Sequence, residues 1–130
     1  MKTLGVFLLL IVSLSMNGQS LKDLRWQKRV VILTGSAKTI NDALTSYNDH
    51  DGIKERRLVF LVIEKDGLKD HESNKRYAKP SFIEEKSKFY LIGLDGGLKL
   101  KQENYLNQKE LFQIIDSMPM RAIEMRNRNE

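Results

Sequence analysis

The sequence predicts one α/β domain in which helices cover a mixed β-sheet, and three observations carry this prediction. Residues 29–33 and 58–63 are short apolar, β-branched runs, which are typical of parallel strands buried on both faces. Residues 89–94 and 98–101 flank an Asp-Gly-Gly turn and therefore predict an antiparallel hairpin. Residues 107–118 carry the apolar stripe of an amphipathic helix. The predicted element order is β-α-β-(α)-β-β-α.

The boundaries of two helices are predicted from their capping residues. Thr39 followed by Asp42 forms an approximate capping box, and it opens a helix that the turn-forming residues 48–52 end. Asn107 and Glu110 form a second capping box directly before the apolar stripe. A helix therefore follows the first strand, and another closes the domain.

Two segments are less regular. Residues 65–87 are polar, with Pro80 in their second half, and predict only a short helix around residues 74–78. Pro119 either ends the closing helix or begins a further one. A parallel pair joined by a helix, then a hairpin and a closing helix, is the order of the thioredoxin fold. The predicted fold class is thus an α/β, thioredoxin-like three-layer sandwich with a central mixed sheet.

An export signal is predicted over residues 1–18. Lys2 supplies a positive charge, residues 6–12 are an apolar run too short to cross a bilayer, and small polar residues lead to a cleavage site near Gly18. A thioredoxin-like domain would then cover residues 19–130, because no linker or internal repeat divides it. The expected location is periplasmic or secreted, with no stable membrane span after cleavage.

The composition excludes thiol chemistry. The chain has 130 residues and no Cys, so it cannot supply the thiolate that disulfide exchange and thiol peroxidase reactions need. No cofactor is indicated. Lys and Arg number 22 against 17 Asp and Glu, and the excess is spread along the chain, which favours a solvated surface. Nucleic acid is not an expected partner of an exported protein.

Three motifs resemble a known group of domains. Residues 24–30 (LRWQKRV), 95–100 (DGGLKL) and 115–121 (IDSMPMR) resemble the bacterial members of the P-DUDES group. These are exported domains of unknown function, related to domains in vertebrate sushi-repeat proteins and a coiled-coil-domain matrix protein. The resemblance covers nearly all of the mature chain. It implies a thioredoxin-like fold, distantly similar to peroxiredoxins, and no established activity.

The turn after the first strand is the first candidate site. In a thioredoxin the reactive dithiol lies there, whereas the hydroxyls of residues 34–39 cannot supply a thiolate. Its backbone N–H groups and Lys38 suit a carboxylate or phosphate, and an ordinary capped turn is the alternative. By analogy with the fold, a facing segment completes a groove for an extended peptide. The predicted ligand-binding residues are Thr34, Gly35, Ser36, Lys38, Thr39 and Pro80.

Two further groups are candidates. His50 and His71 each lie between two acidic residues, so the two loops could supply ligands for zinc or iron, while polar loop residues are the alternative. The second group combines aromatic, basic and methionine side chains that suit an adaptable contact, with ordinary packing as the alternative. The predicted partner-binding residues are Trp26, Arg121, Met125 and Arg126.

These observations favour a non-catalytic binding or interaction module of the cell envelope, with an envelope or secreted protein as partner. The alternative is a non-thiol enzyme, metal-dependent through His50 or His71 and linked to oxidative-stress defence. A third possibility is electrostatic attachment to anionic envelope polymers or lipid, which would weaken steeply as salt increases.

Overall fold

The computed structural model describes residues 19–129, and the export signal predicted over residues 1–18 lies outside the described residues. The elements in chain order are a 3-10 helix Leu21–Leu24, β1 Arg29–Leu33, α1 Ala37–Ser46, α2 His50–Glu55, β2 Leu58–Glu64, β3 Gly67–Asp70, β4 Arg76–Ala78, β5 Phe89–Ile92, β6 Leu98–Gln102, α3 Gln108–Asp116 and α4 Pro119–Asn129.

The described strands form one mixed sheet in the order β4-β3-β2-β1-β5-β6. β1 pairs with β2 in parallel and with β5 antiparallel, so it lies at the centre and every residue of it is buried. β5 and β6 form the predicted hairpin. The predicted α/β class is confirmed, and the sheet order is compatible with a thioredoxin-like sandwich.

Each face of the sheet carries its own hydrophobic cluster. On one face, Val31 and Leu33 of β1 pack with Ile40 of α1 and Leu111 of α3. On the other face, Ile32 and its neighbours on β2, β3, β4 and β5 are covered by residues of the 3-10 helix and of the loop after β4. The alternation along β1 therefore supplies both clusters, because successive side chains of a strand point to opposite faces.

The prediction of a helix around residues 74–78 is wrong, because β4 lies in this segment. Tyr77 pairs with Leu68 of β3 in an antiparallel register, and both side chains are buried in the same cluster. Strands as short as β3 and β4 carry too little alternation to be distinguished from a polar loop. The segment after β2 therefore extends the sheet by a hairpin.

The capping predictions are partly right. α1 begins two residues earlier than Thr39 and is capped by Ser36, and the turn at residues 48–52 leads into α2, which Asp49 caps. The Asn107 cap of α3 is confirmed, because its side chain accepts a hydrogen bond from the Glu110 N–H at 2.8 Å. α4 begins at Pro119, as one of the two predicted alternatives has it.

Candidate functional site

The turn between β1 and α1 uses its polar groups within the fold. The Thr34 hydroxyl donates to Ser87 O at 3.2 Å, and the Tyr105 hydroxyl donates to Thr34 O. Ser36 Oγ accepts from the Thr39 N–H at 3.2 Å, while the Thr39 hydroxyl donates to Ser36 O at 3.0 Å. These hydroxyls therefore cap and anchor the turn, as the structural alternative predicts.

Gly35 is required by the close approach of Tyr105. Its φ is +122°, and a Cβ at this position would lie 2.8 Å from the Tyr105 hydroxyl. Only glycine adopts such a backbone conformation readily. Lys38, in contrast, is exposed and makes no salt bridge within the described residues. It is the charged side chain that this turn presents to solvent.

The structure separates the predicted groove residues. Thr34 and Gly35 line an open cavity of about 500 Å³ together with Lys79 and Lys88, and the acidic residues Glu84 and Glu85 lie on the same wall. Pro80 lines a different groove, and its peptide bond with Lys79 is trans. The segment that contacts the turn is Ser87–Lys88, since Thr34 N also donates to Lys88 O at 3.0 Å.

The two histidines line the same cavity of about 110 Å³, between α2 and the end of β3. Asp70 lies beside them, but one of its carboxylate oxygens accepts the backbone N–H groups of Glu72 and Ser73. In the part of the chain that the structure describes, no three His, Asp or Glu side chains converge closely enough to hold a metal ion. The cavity therefore has the predicted residues without a metal-binding geometry.

Tyr47 forms part of the wall of the same cavity. Burial raises the pKa of its phenol, and its hydroxyl donates to Leu106 O at 2.6 Å. Its ring also stacks on Phe60, with 4.9 Å between the ring centroids. Tyr47 is thus held as a neutral hydrogen-bond donor and is not poised to accept a proton from a substrate.

A cluster of buried ion pairs lies at the opposite end of β1. Arg29 is 0% exposed, and its guanidinium donates two hydrogen bonds to the carboxylate of Glu124, at 3.1 and 3.2 Å. It also donates to Arg56 O at 3.0 Å. This pairing neutralises a charge that would otherwise be very costly inside the core.

Arg121 belongs to the same cluster and is 3% exposed. Its guanidinium contacts the carboxylates of Glu55 at 2.9 Å, Asp116 at 3.1 Å and Glu124 at 3.4 Å. Burial acts to raise the pKa of Asp116, but hydrogen bonds from Arg56 and Arg121 outweigh it and hold that pKa below its usual range. Arg121 is buried and paired within the fold, which argues against its predicted role in partner binding.

The other predicted partner-binding residues lie nearer the surface. Met125 is partly buried and Arg126 is exposed. Trp26 is 52% exposed, and its φ of +67° is unusual for a bulky residue. Its backbone N–H donates to Leu94 O at 2.6 Å, and the guanidinium of Arg25 lies 5.2 Å from its ring centroid. The backbone of Trp26 is thus anchored, and its side chain is exposed.

Beside Trp26 lies a groove of about 430 Å³ that the sequence did not indicate. We call it the basic groove, because exposed cationic side chains and buried or half-buried apolar side chains line it together. The cationic residues are Lys22, Arg25, Lys28 and Lys79, and the apolar residues are Leu21, Leu24, Val30, Pro80, Phe82 and Ile92.

The three motifs that carry the sequence resemblance converge at this end of the sheet. Residues 24–30 contact residues 95–100 where Arg25 packs against Gly96, at 3.4 Å from an ideal Cβ of that glycine. Residues 24–30 also contact α4, whose first turn belongs to the third motif, through the pair of Arg29 and Glu124. The three motifs therefore marked this region in the sequence, although their contacts with one another could not be predicted from it.

The geometry defines a cysteine-free α/β domain with its charged and aromatic features gathered at one end of a mixed sheet. Comparison with family models identifies the family: residues 20–124 match the model described as Domain of unknown function (DUF4174), and the chain belongs to this family. No curated protein and no solved structure matches the chain. The finer resemblance to the P-DUDES group therefore stays a prediction. Within residues 19–129, no helix combines the length and apolarity needed to cross a bilayer.

Proposed function

We propose that this chain is an exported, non-catalytic interaction module of the cell envelope, whose partner is an envelope or secreted protein. The observation that supports it best is Trp26, a large aromatic side chain that is exposed beside Arg25 on a backbone anchored to Leu94. Trp and Arg are enriched among the residues that dominate binding energies at protein interfaces.

The turn at residues 34–39 remains a second location for the same function. Its cavity holds Thr34 and Gly35, and Lys38 lies nearby on the first turn of α1. The hydroxyls of the turn are already hydrogen-bonded, so a ligand there would rely on Lys38 and on contacts with the cavity wall. This makes it the weaker of the two locations.

Affinity capture from envelope extracts at low and high salt tests the function and both locations. The wild-type chain should retain the same protein at both salts, and Trp26→Ala should lose it. Ile123→Ala is the matched control, because Ile123 is another exposed hydrophobic residue at 46% exposure. Loss of binding in Ser36→Ala with Lys38→Ala, but not in Trp26→Ala, would move the site to the turn.

Two outcomes of the capture experiment contradict the proposal. Binding that disappears at high salt favours electrostatic attachment to anionic polymers or lipid, because salt screens exposed charges. If no protein is specifically retained at either salt concentration, the proposed interaction module has no support. Separately, recovery of the unprocessed chain with residues 1–18 intact in an exporting host would contradict the export signal.

A metal-dependent, non-thiol enzyme is the second candidate function, because His50 and His71 line one cavity, although the described residues place no third ligand with them. It requires stoichiometric metal in the purified protein, and His50→Ala or His71→Ala should release that metal. A metal-free protein with full stability contradicts it. A role in oxidative-stress defence would follow only from such a metal centre.

A further inference from the structure

The basic groove has the size and lining of a small-molecule site. Its volume of about 430 Å³ lies within the range of roughly 300–1,000 Å³ that such sites occupy. Buried Val30 and Ile92 close its floor, while half-buried side chains of the 3-10 helix and of the loop after β4 supply the apolar surface that a ligand can contact. Phe82 of the loop after β4 packs on Tyr90 of the sheet, which holds one wall in place. The groove therefore offers a ligand a preformed apolar surface.

The charged residues of the groove are strongly unbalanced. Four exposed cations line it, and none of them makes a salt bridge within residues 19–129. Asp95 is the acidic residue in the lining, but its carboxylate already contacts Lys99 Nζ at 2.9 Å and the Gly97 N–H at 2.9 Å. Asp95 still interacts electrostatically with Arg25, whereas Lys22, Lys28 and Lys79 have no salt-bridge partner among the lining residues and attract an anion from outside.

We propose that the basic groove binds the anion of a straight-chain fatty acid, with the acyl chain on the apolar lining and the carboxylate against the cations of the groove. This ligand satisfies both halves of the site at once. A polyanion without an apolar part would leave the apolar lining in water, and an uncharged lipid would leave the cations unpaired. The proposal does not depend on the protein partner proposed for Trp26.

Titration calorimetry of the purified, delipidated protein with octanoate, decanoate and dodecanoate tests the apolar contact. Each methylene buried in the groove should lower the dissociation constant about two- to fourfold, until the groove is filled. Dodecanol tests the charge contact, because it has the same chain without a carboxylate. It should bind roughly tenfold more weakly than dodecanoate, since several cations face the missing charge.

Variants of exposed lysines locate the site without disturbing the core. Lys22→Glu with Lys79→Glu should weaken dodecanoate binding more than about tenfold and leave dodecanol unchanged, because both substitutions face the carboxylate. Lys54→Glu with Lys109→Glu is the matched control, as it changes the net charge equally at exposed positions outside the groove.

Three results would overturn the inference: no binding of dodecanoate, an affinity that does not change with chain length, or an equal loss in the control pair. An acidic peptide that binds the wild-type groove where dodecanoate fails would assign the groove to a protein instead. Loss of the captured envelope protein in Trp26→Ala with unchanged dodecanoate binding would separate the two proposals.

Discussion

The two ends of β1 are held in place by different kinds of interaction. At its C-terminal end, the turn into α1 is held by neutral hydrogen bonds among Thr34, Ser36, Thr39 and Tyr105. At its N-terminal end, three arginines and three acidic residues from β1, α2, α3 and α4 form a network of ion pairs. The first end combines a local helix cap with hydrogen bonds to Ser87 and Tyr105, whereas the second joins distant elements through charged side chains.

The difference shows where this chain departs from what its predicted fold suggests. Fold analogy places the chemistry of a thioredoxin-like sandwich at the C-terminal end of β1, yet that end here is a capped turn. Trp26 and the ion pairs of Arg29 lie at the other end, and the basic groove extends from there to Lys79, which also lines the cavity beside Thr34. The site of interest on a fold has to be found from its residues, because the fold alone does not fix it.

The largest expected effect is at Arg29. Arg29→Met should lower the free energy of unfolding by about 3–5 kcal/mol, because it leaves the carboxylate of Glu124 without its main partner. Removing both charges in Arg29→Met with Glu124→Leu should recover most of that loss. Urea denaturation measures both variants. A loss below about 1 kcal/mol in the single variant would show that the network is not a structural requirement.

Gly96 gives the next effect, at the contact between two of the motifs. Its φ is +85°, so Gly96→Ala should cost about 1–2 kcal/mol, since L-residues are strained in the left-handed region. The added methyl would only touch Arg25, at 3.4 Å, so the backbone conformation carries the effect. Gly97→Ala is the control, because Gly97 has no positive φ; its Cβ would lie 3.3 Å from Asp95 Oδ1, and its effect should stay below about 1 kcal/mol. Equal losses in thermal denaturation would contradict the conformational explanation.

At the other end of β1, Ser36→Ala should lower stability by about 1 kcal/mol through the loss of the α1 cap. Lys38→Ala, on the same turn, should change it by less than about 0.5 kcal/mol, because Lys38 is exposed and makes no salt bridge within the described residues. Chemical denaturation of both variants distinguishes a structural turn from a binding one. If Ser36→Ala is neutral, the turn is not held as described.

The smallest effect is a pH dependence at Asp116. Its folded pKa is lowered, so its contribution to stability is complete above its unfolded pKa, near about 4, and is lost as pH falls through the folded value. The difference in unfolding free energy between wild type and Asp116→Asn should therefore shrink between about pH 5 and pH 2. A difference that stays constant across this range contradicts the lowered pKa.

Much of the fold was predictable because its signals are local. The apolar runs of β1 and β2, the Asp-Gly-Gly turn and the Asn107 cap each lie within a few consecutive residues. β3, β4 and α2 were missed for the same reason, since each is too short to show a period of its own. α2 also begins among residues that favour turns.

The candidate site was less predictable because it depends on distant contacts. From the sequence of its own helix, Arg121 is expected to be an exposed cation. It is buried because the fold brings Glu55 and Asp116 beside it. Likewise, the cations of the basic groove come from the 3-10 helix region and from Lys79, more than fifty residues later in the chain. Trp26 was predicted from its residue type and its basic neighbours in the sequence, and its exposure agrees with the role proposed for it.

The pairing of Arg29 with Glu124 also has a consequence for folding. The two residues are 95 positions apart, so the central strand is synthesised long before its carboxylate. A sheet that closed early would bury a lone guanidinium, at a cost of several kcal/mol. We therefore expect the burial of β1 to become stable only when α4 docks, and a chain cut before Glu124 should be destabilised by the cost of that unpaired charge.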